Sequence, residues 1–322
     1  MIPALLALVL SFPQLAFGPD ETSLEGHTAA VRYLAYSPNG ERLISASDAE
    51  VTIWDPKTKA RMKSWDLVGP AALSSDGSRL AFANIDSVTV VDATTFETLK
   101  ALDASADLGL AKSDIIMALA LSKNGKRLIA GGVEDRIAVY TFGAGFKAIH
   151  LEHGPIECCC LSPDGSSVAV GSADGSVTLY DADSGKVLKE IAKLAKTISC
   201  IVFSTDGHQL AAGSEDGTAS VWGMGNYGIK LSSSHAGIVF AVNFDPGGKF
   251  LAVASNAGDR KSDVKLLPIP AGEPPITKRG IPYWVFALAF SPRGNTLAVG
   301  DEESTVRLWP LTQRPTGKTG ER

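Results

Sequence analysis

The chain has no surplus of positive charge: 30 Lys and Arg stand against 35 Asp and Glu, a net charge of −5. A surface that tracks phosphates needs the opposite balance, so nucleic acid is not an expected partner. Cysteine is scarce. Cys158, Cys159 and Cys160 are consecutive and Cys200 stands apart, which fits neither a disulfide framework nor the paired cysteines of a zinc site. Neighbouring strand residues point to opposite faces, so bridges inside the run would be distorted, and the four read as small buried hydrophobes. Convincing helical periodicity is missing throughout. What is abundant is glycine, 32 residues, with 17 prolines, a sign of many turns. At 45% hydrophobic and 20% charged, 322 residues can bury a sizeable core and are not a disordered composition.

The first 18 residues carry no charged side chain, and residues 4–10 form an apolar run too short for a dependable membrane span. Ala16-Phe17-Gly18 offers small residues where a signal peptidase reads them, so residues 1–18 are expected to be a signal peptide. No Lys or Arg precedes the run and Pro19 would follow the cut. The alternative is an unprocessed start on a cytoplasmic protein.

Self-similarity decides the fold. A short turn recurs at Ser37-Pro-Asn-Gly40, Ser74-Ser-Asp-Gly77, Ser122-Lys-Asn-Gly125, Ser162-Pro-Asp-Gly165, Ser204-Thr-Asp-Gly207, Asp245-Pro-Gly-Gly248 and Ser291-Pro-Arg-Gly294. Each has Gly three places after its anchor and Leu or Val six places after: Leu43, Leu80, Leu128, Val168, Leu210, Leu251 and Leu297. Asp or Asn followed by Gly makes a tight hairpin, because Gly accepts the positive φ that other residues resist. Strand-like runs flank the turns, and a third strand ends in Trp54, Tyr140, Tyr180, Trp222 or Trp309. Units two and six place Val91 and Leu267 there instead, unit six after an insertion near 256–263, and these two blades could be distorted. Four short antiparallel strands repeated seven times predict an all-β, seven-bladed propeller.

With Gly26-His27 and Trp54-Asp55 in unit one, and His153-Gly154 and Tyr180-Asp181 in unit four, residues 20–311 resemble the WD-repeat β-propeller family. The resemblance implies blades near 25–62, 63–104, 105–148, 149–190, 191–231, 232–274 and 275–311 plus 19–24, with a polar tail at 312–322. It also implies that Thr22-Ser-Leu-Glu25 supplies the outer strand missing after Trp309 and closes the ring. It further implies a structural polar network in each blade. The matching residues are His27, Ser47, Asp48 and Trp54; His153, Ser172, Asp174 and Tyr180; Ser214, Asp216 and Trp222; and Trp309. A Ser, a His and an acid look catalytic, but here they are expected to fix tight turns.

Several strings imitate chemistry. Gly223-Met-Gly225-Asn-Tyr-Gly228 has the dinucleotide-binding spacing without the helix that would hold a phosphate. The end of a P-loop at Gly317-Lys318-Thr319 lacks its first glycine. Asp181-Ala-Asp183-Ser-Gly185 lacks the later carboxylate of a calcium loop, and His150 and His153 could at most offer two ligands. No cofactor, metal or catalytic residue is assigned. The expectation is a non-enzymatic scaffold, monomeric alone, that binds a protein or peptide on the face around the central channel. The alternative is a propeller hydrolase or metal-dependent enzyme working at the channel mouth. Aligning the first strands on their turns brings Arg32, Met117, Glu157, Ser199, Phe240 and Phe286 to one equivalent position, with Tyr283 and Trp284 just before Phe286. Trp284, Tyr283, Phe240, Phe286, Met117 and Arg32 are therefore the expected partner-binding patch.

Overall fold

The computed structural model describes residues 15–66, 69–110, 115–132, 136–150, 155–256 and 258–313. Every regular element among them is a β-strand. Six antiparallel sheets of four strands follow one another along the chain, and a seventh combines three C-terminal strands with two short N-terminal ones. The innermost strands are Val31–Tyr36, Ile116–Leu121, Ile156–Leu161, Ile198–Phe203, Val239–Phe244 and Val285–Phe290 in six blades. In blade two the innermost strand is cut to Ala71–Leu73. Each innermost strand touches those of the blades on either side, and Val285–Phe290 touches Val31–Tyr36, which closes the ring.

The repeated turn explains its own sequence. The anchor serine hydroxyl accepts the N–H five residues on, as in Arg42 N to Ser37 Oγ at 3.0 Å and Arg79 N to Ser74 Oγ at 2.9 Å. In blade six Asp245 does the same, its Oδ1 accepting the Phe250 N–H at 2.6 Å. The glycine three places after the anchor has φ between 62° and 75° in all seven blades, a region costly for any residue with a Cβ. The Leu or Val that follows is fully buried each time. It pairs across the sheet with the third-strand aromatic: Leu43 with Trp54, Leu210 with Trp222, Leu297 with Trp309. Val91 and Leu267 occupy the same register opposite Leu80 and Leu251, so blades two and six keep four strands without the aromatic.

Blade seven is closed from the other end of the chain. Thr22–Leu24 pairs with residues 306–308 of the last strand, and Leu15–Phe17 with residues 311–313. Between the two, the Gly18 N–H donates to the Pro310 carbonyl at 2.7 Å. The Phe17 ring meets Trp309 edge-on at 5.7 Å. Cleavage after Gly18 would therefore remove the closing strand Leu15–Phe17 and leave Thr22–Leu24. Among the described residues no helix is long and apolar enough to cross a membrane.

Candidate interaction face

The innermost strands share an irregularity that the turn alignment located without explaining. In six blades the ladder between first and second strands skips one residue: Arg32, Met117, Glu157, Ser199, Phe240 or Phe286. A bulge of this kind releases its residue from pairing and re-aims the side chain. It lies at the strand start, the end away from the anchor turns. One residue in each of these six blades is thus presented on the same face of the ring.

On blades six, seven and one this face is aromatic and cationic. Phe240 and Phe286 meet edge-on at 5.1 Å, Trp284 lies 6.0 Å from Phe240 and 6.2 Å from Phe286, and the Arg32 guanidinium stacks 4.5 Å over Phe286. The three rings are half-buried and stand outside the inter-blade core clusters. Arg32 also pairs with Asp48 at 2.7 Å. The insertion of blade six contributes Arg260, which reaches Glu302 at 3.0 Å, and Glu302 in turn accepts the Trp284 backbone N–H at 3.2 Å.

Two predicted members are elsewhere. Tyr283 is buried in the core between blades six and seven, with the Arg307 guanidinium 4.2 Å over its ring. Both residues lie in the bend before Val285–Phe290, where Tyr283 turns into that core and Trp284 stays half-buried at the face. Met117 is exposed at the bulge of blade three, and no described contact joins it to the aromatic group. Glu302 and Arg260 were missed, because only the tertiary structure brings the insertion over the neighbouring blade.

The polar network of blade one is real but differently composed. The Trp54 Nε1–H donates to Ser45 Oγ at 2.7 Å, and the Ser45 hydroxyl lies 2.6 Å from His27 Nε2. The Ser45 hydroxyl therefore touches both rings, and on the far side of the imidazole His27 Nδ1 lies 3.3 Å from Glu50 Oε1. Glu50 is paired with Arg61. Burial holds His27 below its usual range, against the pull of Glu50. Acid, histidine and serine are in relay order, yet Ser45 is fully buried and its hydroxyl is already committed at both ends. Ser45 replaces the expected Ser47, which instead accepts the N–H of Glu50 at 3.1 Å in the short turn. Asp48 is half-exposed on Arg32 rather than in the network, because the turn is one residue shorter and Glu50 takes the acidic place.

In blade four Ser172 and Tyr180 are buried, and His153 lies outside the described residues. Burial raises Asp174, but the Lys193 ammonium and the hydroxyl and N–H of Ser176 outweigh it and hold the carboxyl at about 2. In blade five Ser214 donates to the Lys196 carbonyl at 3.1 Å, and Asp216 accepts the N–H groups of Thr218 and Ala195 at 2.7 and 3.0 Å. Trp222 and Trp309 are sealed in the cores between blades four and five and between six and seven. The four cysteines are free thiols, and burial pushes Cys159 up to about 12 and Cys200 to about 11. Among the described residues no group of three His, Cys, Asp or Glu is gathered to hold a metal.

The sequence matches the family described as WD domain, G-beta repeat, over residues 18–55 and 275–310, and the anaphase-promoting complex subunit 4 WD40 domain over residues 138–206. It is 28% identical to the serine-threonine kinase receptor-associated protein of Gallus gallus over 173 residues, 52% of this chain and 47% of that one. The protein of the same name from Dictyostelium discoideum is 28% identical over 163 residues, 49% of this chain and 53% of that one. Cilia- and flagella-associated protein 52 of Chlamydomonas reinhardtii is 28% identical over 178 residues, 53% of this chain and 28% of that one. The matched part thus spans about half the length of the receptor-associated relatives.

Proposed function

The chain is a WD-repeat β-propeller, and from that premise we propose that it works as a non-enzymatic scaffold. On this reading it holds an extended peptide or protein loop on the face where the bulges open. The observation that carries the reading is the aromatic group of Phe240, Trp284 and Phe286 under Arg32, half-exposed beside a sealed core. Clustered aromatics with an arginine are the composition of interaction hot spots. The receptor-associated name of the similar proteins supports a protein partner. The relay-like trio of blade one is closed to substrate, so no observation favours a hydrolase at the channel mouth.

Trp284→Ala should weaken partner capture by about 2 kcal/mol or more, roughly thirtyfold, with little change in melting temperature. Affinity capture with wild type and variant side by side, read by mass spectrometry, checks this. A variant that unfolds, or that retains every partner, overturns the assignment.

A further inference from the structure

The residue five places after each anchor follows its own series: Arg42, Arg79, Arg127, Ser167, Gln209, Phe250 and Thr296. It lies on the face of the anchor turns, opposite the aromatic group, and in several blades it latches onto the next one. Arg79 donates to the Gly125 carbonyl of blade three at 2.8 Å and stacks 4.3 Å over Phe142. Arg127 donates to the Gly165 carbonyl of blade four at 2.9 Å and pairs with Asp183. Arg42 donates to the Ala93 carbonyl of blade two and lies 5.4 Å over Phe96. Gln209 reaches the Gly248 carbonyl of blade six at 2.9 Å.

Blade four breaks the series. Like Phe250 and Thr296 of blades six and seven, its Ser167 is no arginine or glutamine; it is too short to cross, and its hydroxyl ends 3.5 Å from that of Ser166. A cleft of about 290 Å³ lies between blades four and five at this place, lined among others by Ser167, Asp164, Asp206, Gly207, Met224 and Tyr227. Its walls repeat the latch sites. Gly207 stands where Gly125 and Gly165 accept their arginines. Met224 stands where Phe142 does, its N–H donating to His208 as that of Phe142 donates to Lys126. Tyr227 holds a positive φ of 56°, as Phe96 under Arg42 holds 66°. The cleft also carries two carboxylates and no Lys or Arg. Asp164 is held below the usual range by the Ser162 hydroxyl. Asp206 is raised by burial but lowered further by the Ser204 hydroxyl and the His208 N–H. The Asp206 Oδ1 is used by Ser204 and His208, which leaves Oδ2 for a donor.

We propose that this cleft is a guanidinium site, filled by an arginine side chain from a segment of a partner protein in place of the chain's own missing latch. A guanidinium there would donate to the Gly207 carbonyl and Asp206 Oδ2 and lie against Tyr227 and Met224. Arginine suits the site better than lysine, because its planar fork meets a carbonyl and a carboxylate together. The site is independent of the aromatic face, and a small probe tests it without any partner.

The probe is N-acetyl-arginine methylamide, followed by amide NMR shifts of the full chain. Saturable shifts are expected at Ser167, Gly207 and Tyr227, weaker ones with the lysine analogue and none with the citrulline analogue. Asp206→Asn should cost about tenfold in affinity, as loss of a charge-assisted hydrogen bond does. Ser167→Arg should abolish probe binding and raise the melting temperature by restoring the latch. No saturable shift, equal shifts from citrulline, or a lower melting temperature in Ser167→Arg overturns the proposal. Tighter binding of free arginine than of the capped form overturns the assignment to a protein partner.

Discussion

His235 lies four residues before the first innermost strand residue of blade six, as His27 does in blade one. There the likeness stops, since Val253 and Leu267 stand where Ser45 and Trp54 complete the network. Both His235 ring nitrogens are buried with no hydrogen-bond partner. Burial, helped by Lys265 and opposed by Asp263, depresses the ring to about 4. The unfolded chain then binds a proton between about pH 6.5 and 4 that the native ring refuses, so stability is lost as pH falls through that window. His235→Leu should leave stability at pH 7 unchanged or higher and flatten the loss toward pH 5. Urea midpoints at the two pH values check it; a marked loss at pH 7 would show a partner for the ring.

Within a blade, the aromatic and the turn aspartate act at different depths. Trp222 fills the space between blades four and five beside Ile198, Ile201 and Leu210. Trp222→Ala should cost about 3–5 kcal/mol through lost burial and the cavity left behind. Asp216→Ala orphans two N–H groups near the surface and should cost about 1–3 kcal/mol. Equal, wild-type denaturant midpoints for both variants would count against a structural role. The outermost strands are protected differently. Met62, Leu99, Leu188 and Lys230 fall at ladder irregularities on exposed edges, where a bulge and nearby lysines discourage pairing with another chain.

At the scale of the whole ring, closure is the weak joint. Leu24 is buried against Val31, Trp54, Val306 and Leu308, so Thr22–Leu24 ties the first blade to the last. Deleting residues 19–25 should lower the melting temperature sharply and broaden the transition, because it exposes the edge of Val306–Gln313. Unchanged cooperative unfolding in calorimetry would show that the ring does not depend on this strand.

The blade count, the turn chemistry, the innermost strands and the closing strand were legible in the sequence. The turn is a local rule met seven times: a serine or aspartate that caps, a glycine that takes positive φ, and an apolar residue at a fixed distance. The common position of Arg32, Phe240 and Phe286 was legible too, but its cause, a bulge, was not. Tertiary packing decided the rest. It turned Tyr283 inward while Trp284 stayed at the face, and chose Ser45 over Ser47. It also carried Arg260 of one blade to Glu302 of the next. The arginine series preceding Leu43, Leu80 and Leu128 is visible in the chain. Only the packing of one blade on the next shows that those arginines fill clefts and that Ser167 leaves one open, because that reach spans about 40 residues and no local rule describes it.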